Sequence, residues 1–251
     1  MGSVLGNALI ACRVAKPAQL VIYDPAVTKN KLPRGITLVR DEQHVVDTAD
    51  VVFLGVRPFD MEPLARKLKI KKNTIFISIA AGVPLKTLQR YFGSNVMRII
   101  PSYTQSIGAG PILYSVNKKF SPETVRVGLG ILRSIGELEE IPESLLEVAS
   151  DLTSCAPAFW AYLLHVFVEE AVRRGLSRDT ANQIAKSSMS ASAQTLLSEK
   201  NSIEVVDRVA TPGGITREGI NVLEREFPRT IKKVFNATQR KYKKLHGLLS
   251  R

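Results

Sequence analysis

Over the first 118 or so residues the apolar positions follow two alternating rhythms. Short β-branched runs stand at LVIYD (20–24), GITLV (35–39), DVVFLGV (50–56), TIFISIA (74–80), VMRII (96–100) and ILYSV (112–116). Between several of them the spacing becomes helical. One such segment runs from Asp41 to Asp47-Thr48-Ala49. Pro58 opens another, with Met61, Leu64 and Leu68 on one face, and Pro84 opens a third, with Leu85, Leu88 and Phe92. Apolar runs without strict alternation are strands covered on both faces, and proline is at home in a first helical turn. The pattern predicts βα units on a buried, mostly parallel sheet, the doubly wound α/β class.

The rhythm changes near residue 121. In SPETVRVGLGILRSIG, Ser121 reads as an N-cap and Pro122 as the first helical residue. After a short strand at GELEEI (136–141), helical spacing dominates. Segments are predicted at roughly 143–155, 157–174, 177–198, 202–208, 215–225 and 228–247, punctuated by Pro142, Pro157, Gly175, TPGG and Pro228. Two domains are expected: a Rossmann-like α/β domain at 1–141 and an all-helical domain at 142–251. AFWAYLLHVFV (158–168) is too apolar for a solvent-facing surface, so the helical half is expected to dimerise.

Composition narrows this picture only slightly. The chain has 251 residues, 45% of them hydrophobic, enough for a full core. No apolar run approaches the ~18 residues of a membrane-spanning helix, and the start lacks the basic-then-apolar pattern of a secretory signal. Two cysteines far apart, Cys12 and Cys155, read as reduced thiols of a cytoplasmic protein. His44, His165 and His246 have no ligand-like spacing, so no metal is expected. The formal charge of +12 is uneven. Arg229, Lys232, Lys233, Arg240, Lys241, Lys243, Lys244 and Arg251 stand in a stretch without a single acid. Ile231, Val234, Phe235, Tyr242, Leu245 and Leu249 recur there at helical spacing, which predicts an amphipathic basic helix packed on its own domain or a partner. Binding to nucleic acid or an anionic membrane is the less favoured use of such a helix.

The opening MGSVLGNALI reads as a helix, where a dinucleotide-binding sheet would begin with a strand and G-x-G-x-x-G. In that register Gly2 is the third glycine, and the first strand and two glycines are expected about ten residues ahead of Met1. The alternative is an ordinary N-terminal helix of a different fold. Further on, TPGGIT (211–216) puts Pro212, Gly213 and Gly214 ahead of a helix. Unpaired amides at a helix start bind anions, and glycine lets the backbone come close. GVRP (55–58) and SIAAGV (78–83) sit at strand ends, where open α/β sheets take their ligands. Asp24 closes a strand and is placed to accept from both ribose hydroxyls of NAD, with Lys29 and Lys31 in reach of a phosphate.

Six stretches occur together in one order: MGSVL, ADVVFLGVRP (49–58), ISIAAGVPLKTL (77–88), MRIIPSYTQSIGAG (97–110), SDLTSCAPAFWAYLL (150–164) and VATPGGITREGI (209–220). With these the chain resembles the pyrroline-5-carboxylate reductase family over nearly its whole length. IPS (100–102) and SDLTSCAPAF look most like a branch of late competence proteins. The resemblance implies reduction of the cyclic imine 1-pyrroline-5-carboxylate to L-proline with NADPH or NADH, by interleaved helical domains in a homodimer or larger homo-oligomer. The implied cofactor residues are Gly2, Asp24, Val56, Arg57, Pro58, Ala80, Ala81, Gly82 and Ser102. The substrate carboxylate would lie on Gly213 and Gly214, with Thr211 and Cys155 lining the pocket. Thr216 would hydrogen-bond the ring nitrogen, the catalytic contact. Asp24 in place of the family's usual uncharged residue favours NADH being used at least as well. Two departures stand out: Ser102 replaces the family's asparagine, and Cys155-Ala156 replace a serine and a glycine. They motivate the rival reading, a non-catalytic or regulatory protein on the same fold.

Overall fold

The computed structural model describes residues 1–71, 73–116, 120 and 122–249, with side chains described as far as Gly247. Two compact units divide the chain by contact. One joins 1–157 with 239–251, and the other is 158–238.

In the first unit, α1 (Gly2–Ala11) is followed by the two-residue strands β1 (Val21–Ile22) and β2 (Thr37–Leu38), which pair in parallel as a sheet of their own. The expected runs at 20–24 and 35–39 thus contribute only their centres. The main sheet is built from β3 (Val51–Leu54), β4 (Ile75–Ser78), β5 (Val96–Ile100), β6 (Pro111–Ser115) and β7 (Glu137–Glu140), in that spatial order. β3, β4 and β5 are parallel, β6 runs antiparallel to β5, and β7 is parallel to β6.

Both faces of this sheet are covered over β3 to β6, which is why those strands read as unbroken apolar runs, while the edge strand β7 is Glu-rich and mostly exposed. Successive side chains of a strand point to opposite faces. Phe76 and Ile77 are each fully buried, one in each of two cores. On one face Ile77, Met97 and Ile99 meet Leu5 and Leu9 of α1 and Leu129 and Leu132 of α5 (Pro122–Arg133). On the other face Phe76 and Val96 meet Val46 of α2 (Glu42–Thr48), Met61 of α3 (Met61–Lys67), and Leu88 and Phe92 of α4 (Leu85–Phe92). Asp41 caps α2, its Oδ1 accepting from the His44 amide at 2.8 Å. Pro122 begins α5 as expected; the N-cap expected at Ser121 lies outside the described residues. Pro58 opens a 3₁₀ turn, with α3 following only at Met61.

The helical part comprises α6 (Leu146–Leu152), α7 (Ala156–Arg173), α8 (Arg178–Ser198), α9 (Ser202–Val209) and α10 (Ile215–Leu249). The helices expected at 215–225 and 228–247 are one. Pro228 lacks only the N–H that would bond Glu224, and the chain continues through it. The units also differ from the division at 141/142. Residues 142–157 and 239–251 group with the sheet, because α6 packs on β6 and the end of α10 bonds to α6.

Taken alone, the second unit has almost no interior. Among its described residues the buried apolar ones are Val168, Ala181 and Ala210, while Trp160, Phe167 and Leu197 are 56%, 68% and 87% exposed. No described helix is long and apolar enough to cross a membrane.

Candidate active site

Because β3, β4 and β5 are parallel, their carboxyl ends, Leu54, Ser78 and Ile100, lie along one rim of the sheet. The segments that follow, 55–58, 79–84 and 101–102, are therefore neighbours. This is the edge where doubly wound sheets take ligands. Val56 and Pro58 are half-buried, and Arg57 is exposed and paired with Asp60 at 2.8 Å. Ala80 is buried, its amide donating to Ser78 Oγ at 3.3 Å, while Ala81 is exposed. Gly82 is buried with φ of +73°, a conformation that only glycine adopts without strain.

α1 starts at Gly2 with no side-chain cap, and a Cβ on Gly2 would meet nothing within 4 Å. The first amides of a helix have no intrahelical acceptor and suit an anion. Asp24 follows β1, exposed, with Oδ1 accepting from the Ala26 amide at 2.8 Å. Ser102 is fully buried. Its hydroxyl donates to the Thr153 carbonyl at 3.1 Å and accepts from the Thr104 amide at 3.4 Å. As N-cap of the turn at 103–107 it is already committed within the protein.

In the second unit, the Gly214 amide donates to the Thr211 carbonyl at 2.9 Å, closing a turn with Pro212 and Gly213 at its centre. Gly213 has φ of +75°, as a turn with proline then glycine requires. A Cβ on Gly214 would stand 3.0 Å from that same carbonyl oxygen. The turn delivers the chain into α10, and the amides of Ile215 and Thr216 have no acceptor among the described residues. Arg217 braces it, donating from Nε to the Ala210 carbonyl at 3.2 Å and lying 3.3 Å from Glu224. Thr211 and Thr216 are exposed, and Thr216 lines an open groove of about 550 Å³ with Ser188, Ser192, Val206 and Ile220.

Cys155 is half-buried just before α7. Burial, and after it the nearby Asp151 carboxylate, push its thiol pKa up, so it is held as the neutral thiol and not as a nucleophile.

One cluster had no signal in the sequence beyond an arginine inside the apolar run VMRII. Arg98, at the centre of β5, is 1% exposed. Its Nη1 bonds Glu143 Oε1 at 3.2 Å and its Nη2 bonds Glu147 Oε1. Glu143 also accepts the Leu85 amide at the start of α4. His246 Nε2 lies 3.2 Å from Glu147 Oε1, and Gln239 Nε2 donates to the Glu147 carbonyl at 3.0 Å. Burial pushes the Glu147 carboxyl upward; the Arg98 charge, its hydrogen bond and His246 together outweigh this and hold it below the usual range.

Comparison with known proteins places this arrangement. Residues 143–245 match the model of pyrroline-5-carboxylate reductase dimerisation, and residues 1–82 that of NADP oxidoreductase, coenzyme F420-dependent. A pyrroline-5-carboxylate reductase of Aquifex aeolicus is 30% identical, over 96% of this chain and 94% of that protein. ComE operon protein 4 of Bacillus subtilis is 28% identical over 96% and 92%. The solved pyrroline carboxylate reductase of Plasmodium falciparum with NADP bound has the same fold, with a TM-score of 0.85 and 21% identity over 98% of this chain and 94% of that one. With a parallel-sheet rim, a proline-glycine turn at a helix start and full-length similarity in sequence, the chain belongs to the pyrroline-5-carboxylate reductase family.

Proposed function

We propose that the protein reduces 1-pyrroline-5-carboxylate to L-proline with NADH or NADPH. The observation that carries this reading is the turn at 211–216. Unaccepted amides at the start of α10 suit a carboxylate, and a hydroxyl one residue into the helix suits a ring nitrogen. Similarity to reductases across both units supports it.

The residues present fit a nicotinamide dinucleotide. The uncapped start of α1 at Gly2 suits its diphosphate, and Asp24 suits a ribose diol. Val56, Arg57, Pro58, Ala80, Ala81 and Gly82, on the rim, would border its nicotinamide half. When bound, that group would supply the hydride to the imine carbon of the N-protonated ring, whose C=N electron pair then stays on nitrogen as the lone pair of a secondary amine. The chain itself orients and holds charge. Gly213, Gly214 and the following amides bind the carboxylate, Thr211 lines the same turn, and the Thr216 hydroxyl holds the ring nitrogen in place. Ser102, committed to Thr153 and Thr104, keeps the rim in shape and need not touch the ligand. The Asp24 carboxylate disfavours a 2′-phosphate, so NADH serves at least as well as NADPH.

The same reading makes the second unit one half of a homodimer or a larger homo-oligomer, since helices with so little interior need a partner to cover them. The two free cysteines suit a reducing, cytoplasmic setting. Oxidation of NADH or NADPH is followed at 340 nm with 1-pyrroline-5-carboxylate. Thr216→Val is expected to lower turnover by about 10²-fold or more, the scale at which a positioned polar contact contributes to catalysis. Wild-type kinetics in that variant would remove Thr216 from its role, and no turnover by the wild-type chain with either cofactor would remove the reading.

A further inference from the structure

The Arg98 cluster reaches the rim loop from two sides. One arm runs through Glu143, which takes a hydrogen bond from the amide of Leu85, three residues past Gly82. The other runs through Glu147 to His246. The His246 ring ends that arm against the loop itself. A Cβ built on Gly82 would lie 3.3 Å from His246 Cδ2 and 3.4 Å from Leu245 Cβ. The same stretch of α10 is fastened twice more to α6, by Gln239 to Asp151 Oδ2 at 2.9 Å and by Tyr242 to Ser150 Oγ at 3.0 Å. All of these groups lie within the first unit.

We propose that residues 239–246 form a clamp on the rim loop, with His246 as a positioning residue that fixes Gly82 for a bound nicotinamide. The inference rests on the function proposed above in one respect, that loop 80–82 borders the cofactor; the clamp itself is a statement about the loop. Three features support it. Gly82 sits at φ of +73° and, as glycine, has many other conformations open to it, so an outside contact is needed to hold it there. The hub of the clamp is a guanidinium buried at the centre of a strand, which cannot shift without losing both carboxylates. The histidine side chain is 40% exposed, so it adds little to the core that would account for its place against the loop.

Hydrogen exchange and steady-state kinetics on the full chain test this together. In His246→Ala, the amides of 79–83 should exchange about tenfold faster while those of 75–78 in β4 stay unchanged. KM for NADH or NADPH should rise about fivefold or more with kcat within about twofold, the pattern of lost uniform binding. His246→Gln keeps a donor toward Glu147 and most of the bulk, and should restore both readouts. Unchanged exchange at 79–83 in His246→Ala would overturn the clamp. So would faster exchange spread equally over β4, which would mark a merely structural role. If the wild-type chain turns over nothing, the function proposed above falls, and the exchange data alone decide for or against the clamp.

Discussion

Gly213→Ala isolates what the turn at 211–216 contributes, because the structure offers no steric reason for harm. A Cβ there would meet nothing within 4 Å, and the residue is exposed. The whole cost is in the backbone, since φ is +75°. An L-residue in that region is penalised by about 1–2 kcal/mol. If the turn relaxes to avoid the strain, the competent conformer loses that much relative to its alternatives, and apparent substrate affinity falls with the competent fraction. At room temperature this is a loss of about 5- to 30-fold. The variant's KM for 1-pyrroline-5-carboxylate should therefore rise by about that factor, with KM for the nicotinamide cofactor unchanged. Gly213→Asn should lie between, because asparagine tolerates this region better. Equal KM values for wild type, Ala and Asn would refute the idea that this turn, in this conformation, holds the carboxylate.

Other outcomes follow from single features. Arg98→Met alone should cost about 3–5 kcal/mol in urea unfolding because it strands Glu147 in the interior, while Arg98→Met with Glu147→Leu should recover most of it. The depressed Glu147 carboxyl contributes stability that is complete above its unfolded value near 4.5 and is lost as the pH falls through the lower folded value. Glu147→Gln should flatten the acid limb of the stability curve, and an unaltered limb would show that the carboxylate is not its source. Cys155, with its thiol pushed up, should react with iodoacetamide at pH 7.5 more slowly than a free peptide thiol. Phe167→Glu, at a position 68% exposed in the single chain, should shift sedimentation toward monomer, and an unchanged assembly would place the interface elsewhere.

What the sequence makes legible here is whatever a local rule controls. The six β-branched runs mark β1 to β6, and the buried β4 and β5 most plainly, because strands covered on both faces cannot hide among polar residues; β7, Glu137–Glu140, carries no such run. Leu85, Leu88 and Phe92 identify their helical face because all three are buried. The turn at 211–214 is readable because proline and glycine each dictate a dihedral angle. Pro228 misleads for the opposite reason: its local preference to end a helix yields to the helix on either side. The short β1 and β2 also run against local rules: Leu20 and Val39 still bond across, as acceptor from the Thr37 amide and donor to the Ile22 carbonyl, but the pairing goes no further along either run. The clamp on Gly82 is invisible in one dimension. Its members stand at 82, 98, 143, 147 and 246, and no period or motif joins them. Ser102 shows a further limit: its hydroxyl bonds the Thr153 carbonyl 51 residues away, a contact no motif announces.

The buried Arg98 also sets a timetable for synthesis. Its partner Glu147 lies 49 residues further along the chain. At about 5–20 residues per second, the ribosome delivers that carboxylate some 2–10 s after the arginine. Burying the guanidinium before its carboxylates arrive would leave an uncompensated charge inside the sheet, so the order of synthesis places the closing of β5 after Glu143 and Glu147.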